Sequence, residues 1–443
     1  MGKENIEKYS IGYELIRKIT CFWHNNVYYR KVIVSGRENF NPDDHLIFAP
    51  NHQNALMDAL AIVYNTLKTQ PVFLTRADIF KKKFVSSILY YLKMLPVFRI
   101  RDGFNSLKGN EEIFEKTISV LRNKNGLVIL PEGNHEGFRR LRQLKKGICR
   151  IAFQADEASD FNLNIKIIPV GLEFSHYTRY RQVLTVAFGK PIEISEYYEV
   201  YKRSHDMAMN KLKKRLSDEM KKVMVHIESE EDYEAIDELR SLINGQHSDD
   251  VKFPKLFRDK ILIDKINALK NTNLSLYKKI CSLSLRIKQK AGELKTDYRL
   301  LSKEKHSLGW LLAKSAGLIA SLPLFLYGNI FNLTFFLIPN YQTRKIKDVQ
   351  FHSTMKFGFS LALAIILTPL FLLLTFVIFS PWWISLLIFL TIPLAGLFSW
   401  YYYLELKRII GGFRIKNYLR TRNREYIDLK RDYDELLSIV TAL

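Results

Sequence analysis

Residues 46–58, which read LIFAPNHQNALMD, indicate the fold class of this chain most directly. The apolar run 46–49 has the length and composition of a buried strand, and a helix-forming run begins at Leu56 after a short polar turn. In α/β proteins, functional side chains gather just beyond the ends of strands. The stretch therefore predicts a strand, a turn that carries His52, and a helix.

Strand-like and helix-like segments continue to alternate after this unit. The predicted strands are Leu46–Ala49, Pro71–Leu74, Pro96–Ile100, Leu127–Leu130, Lys166–Val170 and Leu184–Phe188. The predicted helices between them are Leu56–Leu67, Val85–Leu92, Glu111–Arg122 and Leu144–Gln154, each apolar on one face. This alternation predicts an α/β sandwich around a mostly buried sheet, in a domain that covers residues 41–195.

The segments that flank this domain differ from it in composition. Residues 1–40 are interpreted as an amphipathic helical segment, which either packs on the next domain or lies on a bilayer surface. Residues 196–306 are rich in Lys, Glu, Leu and Ile with few turn signals, which predicts an appended region of helices with charged, solvated faces. Residues 407–443 are interpreted as a basic C-terminal helix.

The charge balance narrows the choice of partner. The chain has 443 residues, with 67 Lys and Arg against 45 Asp and Glu, so its net charge is +22. This excess fits anionic lipid or nucleic acid. Nucleic acid is not expected, because acidic residues are interspersed and no nucleic-acid-binding motif is present. The three cysteines lie far apart, without a CxxC or Cys/His cluster, so neither a disulfide scaffold nor a metal site is expected.

The C-terminal third favours lipid. Residues 357–404 contain no charged side chain, and a membrane-spanning helix needs about 20 apolar residues. We predict a membrane domain over residues 307–406, with transmembrane helices at 357–379 and 382–403. The expected location is a membrane crossed more than once. The abundance of Lys, Ile and Asn hints at an AT-rich bacterial genome, and hence at a bacterial inner membrane.

A third apolar segment, residues 315–341, is interrupted by Pro323 and Pro339 and is poorly suited to a straight span. The basic loop 344–347 and the basic tail after 407 should both face the cytoplasm. If the α/β domain is also cytoplasmic, residues 315–341 must enter and leave the membrane on one side. We therefore expect a re-entrant or interfacial hairpin, with a true span as the alternative.

His52 and Asp58 suggest acid–base chemistry. A histidine beyond a strand end can take a proton from a hydroxyl group, and a nearby carboxylate can fix its tautomer and stabilise the imidazolium. Residues 130–135, LPEGNH, follow another apolar strand and expose a carboxylate and backbone amides there. The basic run 139–147 suits a phosphate headgroup or a CoA pyrophosphate. Arg99 and Arg101 alternate along a strand and therefore share a face.

Taken together and in their order along the chain, these motifs resemble those of the glycerolipid acyltransferase family, which includes glycerol-phosphate and lysophosphatidate acyltransferases. The resemblance covers about residues 25–195. Asn51-His52 with Asp58 looks like the catalytic His–Asp box, and residues 98–101, FRIR, look like the glycerol-phosphate-binding box. Residues 130–133, LPEG, resemble the third box, and residues 168–170, IPV, resemble the fourth.

The chain departs from the family pattern at two places. Five residues separate His52 from Asp58 where four are usual, and Asn54 follows two after the histidine, as in a subgroup of membrane-bound glycerol-phosphate acyltransferases. In an ideal helix the pair would lie about 600° apart, so an irregular turn must bring Asp58 back. Asn134-His135 replaces the usual Thr-Arg, which shifts phosphate binding to Arg99, Arg101 and the basic run.

The resemblance implies a membrane-bound O-acyltransferase that moves a fatty acyl group from acyl-CoA or acyl-ACP to 1-acylglycerol-3-phosphate (lysophosphatidate), making phosphatidate for phospholipids. Glycerol-3-phosphate is the alternative acceptor, and an inactive membrane-surface scaffold is a second alternative. His52 and Asp58 would be catalytic, without a cofactor, a metal or an acyl-enzyme, and amides near Gly133 would stabilise the oxyanion. The substrate-binding set would be Asn51, Asn54, Phe98, Arg99, Arg101, Glu132, Gly133 and Lys146.

Overall fold

The computed structural model describes residues 5–66, 69–98, 109–245, 254–301 and 307–443. The chain folds into two compact units. The first contains Met1–His226, His247–Lys260 and Asp348–Thr354. The second contains Ile227–Gln246, Ile261–Lys347 and Met355–Leu443.

The first unit is built on a mixed sheet. Its strands are β1 (Tyr29–Ser35), β2 (Leu46–Pro50), β3 (Val72–Arg76), β4 (Met94–Val97), β5 (Leu127–Val128), β6 (Lys166–Phe174), β7 (Gln182–Phe188) and β8 (Ile192–Glu193). Their order is β1-β7-β6-β2-β5-β3-β4, and β8 pairs with β6. The five strands from β6 to β4 run parallel, whereas β7 is antiparallel to β6. Because β5 is the neighbour of β2, the loops after these two strands emerge side by side.

Helices cover this sheet. They are α1 (Ile11–Phe22), α2 (Leu56–Val63), α3 (Lys83–Tyr91), α4 (Gly109–Arg122), α5 (Gly147–Glu157), α6 (Tyr198–Arg203) and α7 (His205–Val223). Every residue of β2 and of β7 is buried, as expected for strands covered on both faces. Ile47, Phe153 and Leu216 lie fully buried in one core. The predicted α/β architecture with appended helices is confirmed.

The boundaries differ from those predicted. All six predicted strands are present, with the part of the third beyond Phe98 lying outside the described residues. The strand β1 was not predicted, because Arg30 and Lys31 mask its Val-Ile-Val run, so residues 29–35 are not helical. The first unit also extends beyond residue 195, since α7 packs on the sheet: a Cβ added at Gly171 of β6 would lie 1.7 Å from the carbonyl oxygen of Val223.

The second unit is helical. Its helices are α8 (Tyr233–Asn244), α9 (Lys255–Thr272, which starts in the first unit), α10 (Leu274–Glu293), α11 (Tyr298–Leu301), α12 (Leu308–Asn332), α13 (Thr334–Thr343), α14 (Phe351–Ile378, whose first turn belongs to the first unit), α15 (Trp382–Arg420) and α16 (Arg424–Thr441). Buried Asp432 of α16 accepts ion pairs from Arg286 and Lys290 of α10, each at 2.9 Å. Helix α15 continues past the predicted end at residue 403.

Among the described residues, α12, α14 and α15 are long and apolar enough to cross a membrane. Helix α12 runs antiparallel to α15, because Gly412 lies against Leu311 and Gly328 lies against the backbone of Ala395. The Asn332 amide, at the end of α12, donates to the carbonyl of Ile392 (2.9 Å).

Helix α12 ends at Asn332, and α13 begins at Thr334. Phe336, in the first turn of α13, stacks on Trp400 of α15 with ring centroids 5.5 Å apart. A straight continuation of α12 would instead have moved away from Trp400, toward the start of α15. The helix is therefore broken at Leu333, and the hairpin expected for residues 315–341 stays a prediction.

Gly171→Ala tests the close approach of β6 and α7. The new Cβ would meet backbone atoms, which cannot rotate away, so we expect the first unit to lose about 3 kcal/mol of stability. Thermal unfolding followed by circular dichroism measures this loss. Gly147→Ala is the matched control, since nothing lies within 4 Å of a Cβ added there. Equal melting temperatures for the two variants would contradict the packing described.

Candidate active site

The site begins where Asn51 anchors the end of β2. The fully buried Asn51 side chain donates from Nδ2 to the carbonyl of Leu172 (3.1 Å), and its Oδ1 accepts from the Leu172 amide (2.6 Å). Its own backbone amide donates to the carbonyl of Val170 (3.2 Å). These bonds extend the pairing of β2 with β6 by one residue. Asn51 thus fixes the direction in which the chain presents His52, whereas sequence analysis assigned it to substrate binding.

His52 and Asp58 are in direct contact. Nδ1 of His52 lies 2.9 Å from Oδ2 of Asp58. The same oxygen accepts from the backbone amides of Gln53 (2.8 Å) and Asn54 (2.7 Å). The Asp58 side chain is completely buried, and these donors offset the cost of burying its charge. A carboxylate only accepts, so Nδ1 carries the proton of the neutral ring and Nε2 keeps the lone pair that a base needs.

An irregular turn accommodates the additional residue between His52 and Asp58. Ala55 has φ +46° and ψ −125°, a conformation that side chains rarely adopt. The turn is closed by the amides of Met57 and Asp58, which donate to the carbonyls of Asn54 (3.0 Å) and Ala55 (3.3 Å). Such a conformation costs roughly 1–3 kcal/mol. The irregular turn that the spacing predicted is therefore found at Ala55.

Glu132 connects the loop after β5 to the His52 turn. Its Oε1 accepts from the backbone amide of His52 (2.7 Å), and its Oε2 accepts from the amide (3.2 Å) and Nε (3.0 Å) of Arg142. The carboxyl group is buried, which raises the pKa of Glu132, while these bonds and the Arg142 charge act in the opposite direction. With both oxygens engaged, Glu132 braces the site. The substrate contact predicted for Glu132 from its motif stays a prediction.

Gly133 forms the turn that follows. Its φ of +72° suits glycine, and its amide donates to the carbonyl of Leu130 (3.2 Å). That amide is therefore occupied within the turn. The next two amides, of Asn134 and His135, have no hydrogen-bond partner among the described residues. They are the better candidates for oxyanion donors near Gly133.

Much of the basic run is engaged by protein acids. Buried Arg139 donates to Glu173 and to the carbonyl of Phe174, each at 2.7 Å. Lys146 lies 3.0 Å from Asp206, and this contact lowers the pKa of the Asp206 carboxyl. In the described part of the chain, Lys145 and Arg150 are exposed and have no ion pair. The phosphate role predicted for Lys146 therefore competes with Asp206.

The remaining residues of the predicted substrate-binding set lie in different surroundings. Phe98 packs against the hydrophobic core of the first unit. Arg99 and Arg101 lie outside the described residues, so their roles remain predictions. Asn54 donates from Nδ2 to the carbonyl of Tyr177 (3.3 Å). Among the described residues, no group of three or more His, Cys, Asp or Glu side chains could hold a metal ion.

Three residues of the site were missed by sequence analysis. Tyr177 donates from its hydroxyl to Oε1 of Gln53 (2.8 Å). The His135 ring lies edge-on to the His52 ring, with centroids 5.2 Å apart, and its Nε2 lies 3.2 Å from Oδ2 of Asp348. Tyr177 and Asp348 belong to no local motif. His135 was noted only as a replacement for the usual arginine.

Comparison with known proteins agrees with this site. The family model described as Acyltransferase matches residues 31–173, which include His52, Asp58 and Glu132. Two curated relatives from Saccharomyces cerevisiae are similar. Glycerol-3-phosphate O-acyltransferase 2 is 29% identical over 112 residues, which are 25% of this chain and 15% of that protein. Glycerol-3-phosphate O-acyltransferase 1 is 30% identical over 100 residues, which are 22% of this chain and 13% of that protein.

A solved structure is also similar. It is the 1-acyl-sn-glycerophosphate acyltransferase PlsC from Thermotoga maritima, 18% identical, with a TM-score of 0.32, covering 46% of this chain and 78% of that one. The match to the yeast proteins spans less than a sixth of their length. The strand-end His–Asp pair and the family match define an acyltransferase domain. Residues 31–173 of this chain are thus similar to the acyltransferase family, and the two yeast relatives are glycerolipid enzymes by name.

Glu132→Gln tests whether Glu132 braces the site or binds the acceptor. The amide NH2 would face either the His52 amide or the Arg142 donors, so we expect kcat for acyl transfer to fall about tenfold or more while the acceptor KM stays within about twofold. The control is Glu115→Gln, an exposed position on α4 without an ion pair among the described residues. A rise in acceptor KM at unchanged kcat would instead indicate direct substrate contact.

Proposed function

We propose that this protein is a membrane-bound O-acyltransferase that transfers a fatty acyl group from a thioester carrier, acyl-CoA or acyl carrier protein, to a glycerol phosphate. The observation that carries the proposal is the His52–Asp58 pair. Its carboxylate is buried and accepts three hydrogen bonds, and the lone pair of His52 Nε2 is available to a hydroxyl group. An inactive scaffold would have no need of this arrangement.

In the proposed reaction, His52 Nε2 removes the proton from the acceptor hydroxyl. The oxygen attacks the thioester carbonyl carbon, and the new C–O bond forms as the C–S bond breaks. The imidazolium, stabilised by Asp58, then returns its proton to the departing thiolate. The amides of Asn134 and His135 would stabilise the oxyanion of the intermediate, and one such donor is worth roughly 3–4 kcal/mol. The chain's own residues suffice for each proton transfer.

Two acceptors remain in competition. The five-residue spacing and the names of the two yeast relatives favour glycerol-3-phosphate. Attachment to a membrane, where an amphiphile resides, favours 1-acylglycerol-3-phosphate, which sequence analysis had placed first. We now place glycerol-3-phosphate first. The exposed Lys145 and Arg150, together with Arg99 and Arg101, would hold the acceptor phosphate.

We also propose a membrane topology. Met1–His226, His247–Lys260 and Asp348–Thr354 belong to one compact unit, so we place all three segments on one face of a bilayer. Among the described helices between residues 260 and 348, α12 alone is long and apolar enough to cross a membrane. Helix α13 has 10 residues and is therefore about 15 Å long, whereas the hydrocarbon core of a bilayer is about 30 Å thick. The α12–α13 hairpin would therefore enter and leave on that face, while α14 and α15 cross. The basic loop 344–347 indicates that this face is the cytoplasmic one. In a bacterium, the membrane would be the inner membrane.

Helix α1 would lie on the bilayer surface. Leu15, Ile19 and Phe22 are exposed, and Tyr13 is the buried residue of this helix. Helix α3 lies next to α1, because Gly12 of α1 packs against Tyr91 of α3. It adds the exposed Phe84, which directly follows the run Lys81-Lys82-Lys83. Apolar side chains flanked by lysines suit an anionic lipid surface. This supports the second of the two sequence interpretations of residues 1–40.

The activity is tested by assaying the purified full-length protein with a thioester donor and either acceptor. We expect transfer to glycerol-3-phosphate, and a loss of about 10³ in kcat for His52→Ala and for Asp58→Asn, since general-base catalysis supplies about 10²–10⁴. His205→Ala, at an exposed histidine of α7, is the control. Transfer to 1-acylglycerol-3-phosphate alone would reverse the order of acceptors. Activity on neither, or full activity of His52→Ala, would refute the enzyme proposal.

The topology is tested with single cysteines, in a variant lacking Cys21, Cys149 and Cys281, and a membrane-impermeant maleimide applied to sealed vesicles of either orientation. We expect cysteines at Asn41 and Lys345 to react from the same side, and one at Ser380, between α14 and α15, to react from the opposite side. Labelling of position 345 from the side opposite Asn41, with position 380 labelled from the same side as Asn41, would make α12 a true span and would exclude the proposed hairpin.

A further inference from the structure

Residues Asp348–Thr354, here called the strap, reach the candidate active site from a distant part of the chain. The strap includes the residues just before α14 and the first turn of that helix. It belongs to the first unit, although 213 positions separate Asp348 from His135, the residue that it contacts. Two lines of contact lead from the strap to the His52–Asp58 pair.

The first line passes through His135. Oδ2 of Asp348 lies 3.2 Å from Nε2 of His135, and the Phe351 ring is edge-on to the His135 ring with centroids 5.0 Å apart. The His135 ring also lies edge-on to the His52 ring, with centroids 5.2 Å apart and an interplanar angle of 74°. Asp348 and Phe351 thus hold His135 at two points, and His135 limits how far the His52 ring can swing away from Asp58.

The second line passes through Tyr177. The Ser353 hydroxyl donates to the carbonyl of Tyr177, which also accepts from Nδ2 of Asn54 (3.3 Å). The Tyr177 hydroxyl in turn donates to the Gln53 side chain (2.8 Å). Gln53 and Asn54 are the residues whose backbone amides hold Asp58. The strap therefore supports both members of the pair, the histidine through a ring contact and the carboxylate through hydrogen bonds.

We propose that Asp348 is a positioning residue that acts through His135 to hold the His52 imidazole in its working orientation. The inference rests on the proposed function of His52 as the base. Catalytic groups must be held to within about 0.5 Å of their productive geometry, and a ring anchored at Nδ1 alone can still tilt. His135 fills the position where this chain departs from the family's third box. Asp348 of the strap supplies the carboxylate that contacts this histidine.

The experiment is a double-mutant cycle with Asp348→Asn and His135→Gln in the full-length protein. We expect each single variant to lower kcat about fivefold to twentyfold, with KM for donor and acceptor within about twofold. The double variant should be no worse than His135→Gln alone, because Asp348 acts only through His135. Asp43→Asn, an exposed aspartate without an ion pair among the described residues, should leave kcat unchanged.

A second measurement separates this inference from the proposed function. Diethyl pyrocarbonate modifies accessible imidazole rings, and peptide mass spectrometry gives the rate at His52 without any turnover. We expect modification of His52 to be about threefold or more faster in Asp348→Asn than in the Asp43→Asn control, as a ring freed to tilt becomes more accessible. Equal modification rates, additive losses in the cycle, or an unchanged kcat in Asp348→Asn would each overturn the proposal. Absence of acyl transfer in the unmutated protein would count against the function instead.

Discussion

The buried carboxylate of Asp58 is the constraint on which the site depends. A charge removed from water is tolerated only when donors surround it, and here one oxygen accepts from the His52 ring and from two consecutive amides. The chain must therefore coil around Asp58 directly after β2. That requirement explains why Ala55 occupies a conformation suited to glycine, and why α2 begins only at Leu56.

The sheet order supplies the second layer of support. Because β2 lies between β6 and β5, the turn that carries His52 is held from both sides. Asn51 pairs with the backbone of β6, and Glu132 reaches across from the loop after β5 to the His52 amide. Each contact replaces a backbone bond that the end of a strand would otherwise lack. The histidine is thus fixed at its backbone by the sheet and at its ring by Asp58, which leaves one nitrogen available for chemistry.

Local sequence patterns predicted the elements better than the contacts between them. The apolar runs located six strands, and the resemblance selected His52 and Asp58, which meet as expected. The same patterns could not reveal that both oxygens of Glu132 are occupied by protein donors, because Arg142 lies in a loop without regular periodicity. The roles of Tyr177 and Asp348 were not predicted for a related reason. Their partners are more than 100 positions away in the chain, and no local spacing indicates such a contact. The strand β1 was hidden by its two basic residues.

The net charge of +22 is a poor guide to phosphate binding at this site. Arg139 pairs with Glu173 and Arg142 pairs with Glu132 within the fold. If either arginine turned away to bind a phosphate, a buried carboxylate would be left without its partner, which costs several kcal/mol. Lys146 is shared with Asp206 at the surface, where such a pair is weak and can be exchanged. In the proposed function, an acceptor phosphate would therefore be bound by Lys145, Arg150 and the predicted pair Arg99 and Arg101. Under the proposed function, discrimination between acceptors would depend on these few side chains, while Arg139 and Arg142 hold Glu173 and Glu132 within the fold.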